Sequence, residues 1–418
     1  MALPGVRFAA PELALGPGAP FAFGFVRRPG PAGSRGIVAL RRVTQELGLP
    51  PGAIDFFDPV LTVDRRGTLH ALWGDHDAGY ERDTGSATSN RSGEQYVLER
   101  VLHARYRDGH WTPAEVVYRG AGVSWLRTMV SRLEEDAAGN LQVAFVARRG
   151  SGSNVLVHMR LGPEGWRKTE WDGDRIRRTA LNPAPQSVVA AIGGLYPSLA
   201  VGPGKRIYLA FASAARIATG GRTPGGDTNS LWVRRSDDGG MTWSVPMLAH
   251  RAGPMGAYEP KIVAAGHDTV HLLWQKQLDQ RPGEDEIWHS ISTDGGVTWG
   301  SPARVRPPGS QPLRNLQVVG TARGELYMAF AHQPAAAEQY ADRRRGPVHE
   351  QIYYARWRGS RWSAPRLLRP EVGVLPFDLR IDRAGRLHLL WAYMAASGSG
   401  GQMERRIQSY AVASPCAP

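Results

Sequence analysis

Hydrophobic side chains fall at every second position in short runs along most of this chain, and turn-forming residues stop each run. That period is the signature of a strand, because successive side chains point to opposite faces. The runs follow one order: an apolar strand, a D-x-x-G-like turn, a strand ending in an aromatic, a variable loop, then two more strands. The order repeats as Pro59–Trp73 with Val101–Tyr118, Ser131–Phe145 with Val155–Trp166, and Pro197–Phe211 with Leu231–Ala249. It continues as Pro260–Trp274 with Ile287–Val305, Asn315–Phe330 with Ile352–Leu368, and Phe377–Trp391 with Arg405–Ser414.

The last copy stops one strand short. Outermost strands elsewhere open W-x-x-P, as in WTPAEV, WSVPML, WGSPAR and WSAPRL, and Phe8–Leu13 reads FAAPEL. The N-terminus is therefore expected to supply the missing strand, leaving no free sheet edge. The expected fold is all-β, a six-bladed β-propeller with four antiparallel strands per blade. It forms one domain over residues 1–418, with blades starting near 58, 130, 196, 259, 314 and 377. Residues 6–15 close the last blade, and residues 16–55 are an insertion outside the repeat.

Aligning the innermost strands on Asp64, Asp136, Gly202, Ala265, Gly320 and Asp382 separates two parities. One is apolar: Leu61, Val63, Leu133, Leu199, Val201, Ile262, Ala264, Val319, Leu379 and Ile381. The other holds Asp58, Arg132, Glu134, Tyr196, Ser198, Glu259, Lys261, Arg314, Asp378 and Arg380. Alternation points this polar set at a central channel, and places the neighbours Tyr258 and Glu259 on opposite sides of their strand. The longest loops, Gly74–Gln95, Ser213–Asn229, Gln275–Glu286, His332–Glu350 and Ala392–Glu404, fall at the same end. A charged mouth with elaborated loops is where a pocket is expected.

Two turns share the form S-x-D-x-G-x-T-W: Ser236, Asp238, Gly240, Thr242 and Trp243, then Ser292, Asp294, Gly296, Thr298 and Trp299. Their carboxylate and hydroxyl suit backbone N–H groups, and glycine permits positive φ. The pattern resembles the Asp box, or BNR repeat, of the sialidase (neuraminidase) superfamily, where it is a structural turn joining the outer strands of a blade. The resemblance implies three arginines gripping a substrate carboxylate, here Arg132, Arg314 and Arg380, beside Lys261 and Asp378. It also implies a tyrosine nucleophile, Tyr258 or Tyr196, activated by Glu259, with Asp58 or Asp75 as acid. The first inner strand opens FFDPVL, with Phe57 where that family has an arginine. The implied activity is a sialidase-like glycoside hydrolase acting on a carboxylated sugar. Two alternatives stand beside it. One is another enzyme on the scaffold, such as a polysaccharide lyase or a biosynthetic enzyme, with His76 or a tyrosine as base and Arg314 or Lys261 neutralising a carboxylate. The other is a non-catalytic binding propeller.

Composition narrows the partners. The 418 residues carry a net charge of +13, mostly from scattered arginine, and the one clustered basic tract is Arg343-Arg344-Arg345. That distribution favours a small anionic or carbohydrate substrate over nucleic acid. Cys416 stands alone, so neither a disulfide nor a cysteine metal site is expected. No His-x-His or HExxH spacing occurs, and no metal or cofactor is expected. The start lacks a basic region followed by an apolar one, and no run is long enough to span a bilayer. The expectation is a cytoplasmic monomer without membrane partners.

Overall fold

The computed structural model describes residues 12–14, 60–75, 98–107, 110–124, 130–149, 153–172, 190–216, 229–252, 256–277, 285–305, 313–321, 324–332, 351–369, 378–381, 387–395 and 405–413. Every element among them is a strand or turn, and the chain divides into two compact units, Pro20–Pro254 and Met1–Ala19 with Met255–Pro418. Among the described residues no helix is long and apolar enough to cross a membrane.

The first strand, β1 (Glu12–Ala14), belongs to the second of these units. Within Pro20–Pro254 the chain runs through β2 (Val60–Val63), β3 (Leu69–Asp75), β4 (Leu98–Arg107), the short β5 (His110–Trp111) and β6 (Glu115–Ser124). A second succession follows: β7 (Glu134–Glu135), β8 (Leu141–Arg149), β9 (Ser153–Gly162) and β10 (Gly165–Asp172). The expected gap between these two sets is bridged, because β6 pairs with β8 through Val123↔Ala147 and Ser124↔Val146. They form one nine-stranded sheet. A four-stranded sheet completes the unit: β11 (Ala190–Val201), β12 (Ile207–Arg216), β13 (Asn229–Ser236) and β14 (Met247–His250).

The other unit holds three four-stranded antiparallel sheets. They are β15 (Tyr258–Ala264), β16 (Val270–Gln277), β17 (Asp285–Ser292) and β18 (Ala303–Val305); then β19 (Leu313–Gly320), β20 (Leu326–His332), β21 (Gln351–Trp357) and β22 (Arg366–Arg369). The third is β23 (Asp378–Ile381), β24 (Leu387–Ala395) and β25 (Arg405–Ala413), with β1 as its fourth member. Glu12 lies opposite Ser409 and Ala14 opposite Ile407, so the N-terminal strand occupies the outer edge of the last sheet.

The second strands read as unbroken apolar runs because both of their faces are covered. Leu141–Ala147, Ile207–Ala212 and Leu326–Ala331 are buried residue after residue. Side chains from successive sheets merge into shared clusters. Val263 and Leu273 pack with Leu316, Val318 and Phe330, while Val319, Ala329 and Tyr327 pack with Leu379 and Leu389. Area removed from water is the main stabilising term, at roughly 25 cal/mol per Å².

Polar contacts fix how sheets abut. His103, on β4, is buried against His70 (Nδ1···Nε2 3.0 Å) and Glu115, and the indole N–H of Trp166, on β10, donates to it at 3.3 Å. His289 repeats the arrangement with His271 at 2.9 Å and the Trp362 indole N–H at 3.1 Å. His158 bonds Gln142 at 2.8 Å and meets Trp243 edge-on at 4.8 Å between centroids. Gln142 in turn donates to Gly239 O. Gly240 closes this junction: at φ +85° its missing Cβ would stand 2.8 Å from His158 Cε1 and 2.9 Å from Gln142 Oε1. Gly240→Ala is expected to cost about 1–3 kcal/mol through strain and overpacking, measured as a lower Tm; an unchanged Tm contradicts this packing.

Burial disfavours the charged imidazole, holding His271 to about 4 and His289 and His158 to about 3. Burial also lowers His70 and His103, against the pull of Asp64 and Glu115. Folded values below the unfolded value of about 6.5 mean that the unfolded chain binds more protons in that window. Stability is therefore full above about pH 6.5 and lost as pH falls toward about 4. The urea midpoint should drop between about pH 7 and 4.5, and less steeply in His271→Gln/His289→Gln. A flat wild-type profile would exclude this coupling.

Candidate functional site

The three innermost strands β11, β15 and β19 share an irregularity that alternation alone does not reveal. In β15, Tyr258 lies opposite Gln275 and Lys261 opposite Leu273, so three steps on one strand match two on its partner. In β11, Leu195 and Ser198 stand opposite Ala212 and Ala210; in β19, positions 314 and 317 stand opposite Ala331 and Ala329. Each is a one-residue bulge, which bends a strand and re-aims its side chains.

Inside the bulges sit Tyr196 (φ +55°), Glu259 (φ +47°) and Asn315 (φ +55°), the positive-φ residues other than glycine among the described residues. This region is strained for an L-residue by about 1–2 kcal/mol, and such strain concentrates at ligand sites. Pro197 and Pro260 follow two of them. Proline has no N–H to give the ladder, so it fits where pairing is broken, and it keeps the residue before it out of the right-handed helical region.

The bulges correct the sequence alignment in two ways. The turn place in the fifth copy belongs to Thr321, whose N–H donates to Glu325 O at 2.8 Å, as Asp64, Asp136, Gly202 and Ala265 bond their own partners. It does not belong to Gly320, so strict alternation would move position 314 off the polar face. The bulge restores it: because Ala331 and Ala329 share a face of β20, positions 314 and 317 share one too. By the same register Tyr258 shares a face with Lys261, where unbroken alternation puts those two on opposite faces, and Glu259 lies between them in the bulge.

The predicted residues distribute as follows. Glu259, Tyr258 and Lys261 lie at the start of β15, position 314 in β19, and positions 378 and Arg380 in β23. β19 lies between β15 and β23, which brings these segments alongside one another in one unit. Tyr196 and Ser198 lie in β11 of the other unit, where Arg132 and Glu134 are neighbours through β7. The expected arginine set is thus divided, with Arg132 in one unit and positions 314 and 380 in the other. Arg132, Tyr196, Tyr258, Lys261 and Arg380 each engage a neighbour. Asp58 and His76 lie outside the described residues. Among the described residues no group of three His, Cys, Asp or Glu side chains could hold a metal ion.

Tyr258 is seated by a close approach. Its ring folds over Gly256, where a Cβ would come within 2.8 Å of the phenol oxygen. Two features at this end of the sheets escaped the sequence reading. Asn315 is the third bulge residue, hidden by the alignment offset. Glu286, 9% exposed, accepts from the Trp288 indole at 2.9 Å and pairs with Arg304 at 3.0 Å. A carboxylate between an indole and an arginine in EDEIW gave no repeat signal.

The S-x-D-x-G-x-T-W turns sit at the opposite ends of their sheets. Ser236 Oγ accepts from Gly240 N–H and donates to Asp238, which accepts from Met241 N, Thr242 N and Thr242 Oγ1. The second copy repeats these bonds. Hydrogen bonds from Thr298 hold Asp294 down to about 2. A carboxylate so fully used within its own turn has a structural task.

No family model matches the chain, and no curated protein matches it by sequence. Solved structures do. A PL25 polysaccharide lyase, an ulvan lyase bound to -[GlcA(1-4)Rha3S]-, is similar with a TM-score of 0.54 and 12% identity over 97% of this chain and 96% of that chain. A protein of unknown function from Dyadobacter fermentans gives 0.53 and 12% over 98% and 99%. The GH93 α-L-arabinofuranosidase of Fusarium graminearum, in complex with arabinobiose, gives 0.50 and 10% over 95% and 97%. At these identities the likeness is one of fold: an all-β chain of four-stranded antiparallel sheets, with propeller-type neighbours.

The strain at residue 259 is testable. Glu259→Gly keeps the positive φ without its cost and should melt close to wild type, whereas Glu259→Val should lose about 1–3 kcal/mol, since β-branched residues tolerate this region worst. Equal melting of the two variants would argue against the bulge.

Proposed function

We propose that this chain is a carbohydrate-active enzyme on a six-bladed propeller of the sialidase superfamily, working on an acidic sugar at the bulged ends of its innermost strands. Six blades would require the nine-stranded sheet to be read as two four-strand sets with the short β5 left over. The observation that carries the reading is the bulge of β15, which places Glu259 beside Tyr258 and sets Tyr258 on the face of Lys261.

In the hydrolase reading Glu259 accepts the phenol proton as Tyr258 attacks the anomeric carbon and the glycosidic bond breaks. The leaving oxygen takes a proton from the acid that the resemblance assigns to Asp58 or Asp75. Water then displaces the sugar from the tyrosine, which regains its proton from Glu259. This is the tyrosine variant of glycoside hydrolysis rather than the two-carboxylate scheme. Lys261, Arg314 and Arg380 then neutralise the substrate carboxylate, with Asp378 beside them. Tyr196 and Arg132, in the other unit, are not needed for this step, and Asp58 lies outside the described residues. A second reading takes support from the ulvan lyase of similar fold, bound to a glucuronate-containing ligand. There a tyrosine or His76 removes a proton beside a uronate carboxylate neutralised by Lys261 or Arg314.

One paired assay separates the two. The purified chain is offered a fluorogenic sialoside and a uronate polymer, reading fluorophore release from the first and the ultraviolet absorbance of an unsaturated uronate from the second. The hydrolase reading predicts fluorophore release that falls about 10²–10⁴-fold in Glu259→Gln and in Tyr258→Phe, with their melting temperatures held. Unsaturated product alone would select the lyase, and turnover untouched by Glu259→Gln would move the site elsewhere.

A further inference from the structure

The turn between third and fourth strands carries an acidic residue in four of its copies and none in the fifth. The four read RDGH, with Asp108; GPEG, with Glu164; SDDGG, with Asp237 and Asp238; and STDGG, with Asp294. Glu164 pairs with Arg167, while Asp238 and Asp294 accept backbone N–H groups of their own turns. The fifth reads Arg358-Gly359-Ser360-Arg361, closed by Arg358 N–H to Arg361 O at 2.9 Å. A repeat shows what its fold requires, so the copy that departs from it has been shaped by something else.

The departure extends along the hairpin. From Ile352 to Arg369 there is no Asp or Glu, against arginines at 356, 358, 361, 366 and 369. Register sorts them. Tyr354 pairs with Arg366, Trp357 with Trp362, and Arg358 with Arg361, so Arg356, Arg358, Arg361 and Arg366 share the face of Tyr354. Burial pushes the Tyr354 phenol above its usual range, while Arg356 and Arg358 pull the other way. Arg356 is neutralised by Glu325. Arg358, Arg361 and Arg366 are exposed, and none has a carboxylate partner among the described residues. Three like charges in a strip about four residues long repel each other unless an anion joins them.

We infer that the β21–β22 hairpin is a docking strip for an anionic polysaccharide, held by Arg358 and Arg361 in the turn at the sheet end opposite the bulge and by Arg366 partway back along the outer strand, level with Gln317. Guanidinium forks match carboxylate or sulfate oxygens in pairs. Nucleic acid fits less well, because single strands need exposed rings on which bases stack. The indoles of this hairpin, Trp357 and Trp362, face inward against His289. The strip would hold a long substrate chain while the far end works on it; its anionic-glycan chemistry rests on the function proposed above, but its existence does not.

The test is binding of the full chain to immobilised polygalacturonate, eluted with salt. Arg358→Ser/Arg361→Ser/Arg366→Ser should weaken binding at least tenfold and elute at lower salt. A control triple, Arg66→Ser/Arg105→Ser/Arg251→Ser, lowers the net charge equally from other exposed sites and should bind as wild type. Equal weakening by both triples overturns the strip in favour of bulk charge, and unaltered binding by the hairpin triple overturns it outright. Tighter wild-type binding to single-stranded polynucleotide than to polygalacturonate, lost in the hairpin triple, overturns the glycan assignment. Loss of binding in the hairpin triple alone supports the strip whether or not the sialoside and uronate assays show turnover, so failure of the catalytic proposal leaves a result distinct from failure of this one.

Discussion

The architecture depends on how one sheet is fastened to the next. In each unit a buried imidazole from a third strand receives a tryptophan from the following set of strands: His103 with Trp166 within the nine-stranded sheet, and His158 with Trp243 and His289 with Trp362 between sheets. Apolar burial supplies most of the energy but is indifferent to exact placement. The imidazole–indole contact is directional: the rings meet edge-on in all three pairs, and at His103 and His289 a donated indole N–H fixes the distance as well. It also explains why these histidines stay neutral: a charged ring in the same seat would meet an indole edge and no carboxylate strong enough to repay desolvation. The outer-turn tryptophan is therefore a fastener, and at Trp243 the S-x-D-x-G-x-T turn before it holds that tryptophan in register.

Rigid fastening at the outer turns leaves the other end of each sheet free to vary. There the innermost strands break their own ladders, placing Tyr196, Glu259 and Asn315 where L-residues resist going. A bulge in one strand could be an accident of local packing. Three at the same repeat position, with buried Pro197, Pro260 and Leu316 next in the chain, are a built feature. Strain at one end and tight hydrogen bonding at the other suit a scaffold that presents side chains from stiff elements.

The repeating strands, the turn chemistry and the N-terminal strand on the last sheet were all legible, because each leaves a local mark: period two, D-x-x-G, W-x-x-P. What was not legible depended on register. A bulge has no composition of its own, and alternation assumes an unbroken ladder, so alternation put Tyr258 and Lys261 on opposite faces of their strand, where the register puts them on one. The one-residue offset at Gly320 and Thr321 hid Asn315 for the same reason. The histidine pairs were missed because their members, such as His271 and His289, lie on different strands 18 residues apart. Only the pairing of those strands makes them neighbours.

Internal repetition offers a control that a single sequence otherwise lacks. Positions alike in every copy answer to the fold, as the buried residue three before each inner turn does: Leu61, Leu133, Leu199, Ile262, Val318. Positions that differ sharply in one copy answer to something local. By that criterion the Arg358–Arg361 turn stands apart from its counterparts, whereas Asp238 and Asp294 do not. The bulge position is of a third kind: its backbone is alike in three copies while its side chain is Tyr196, Glu259 or Asn315. The fold keeps the strained backbone there and leaves the choice of side chain to whatever each copy presents.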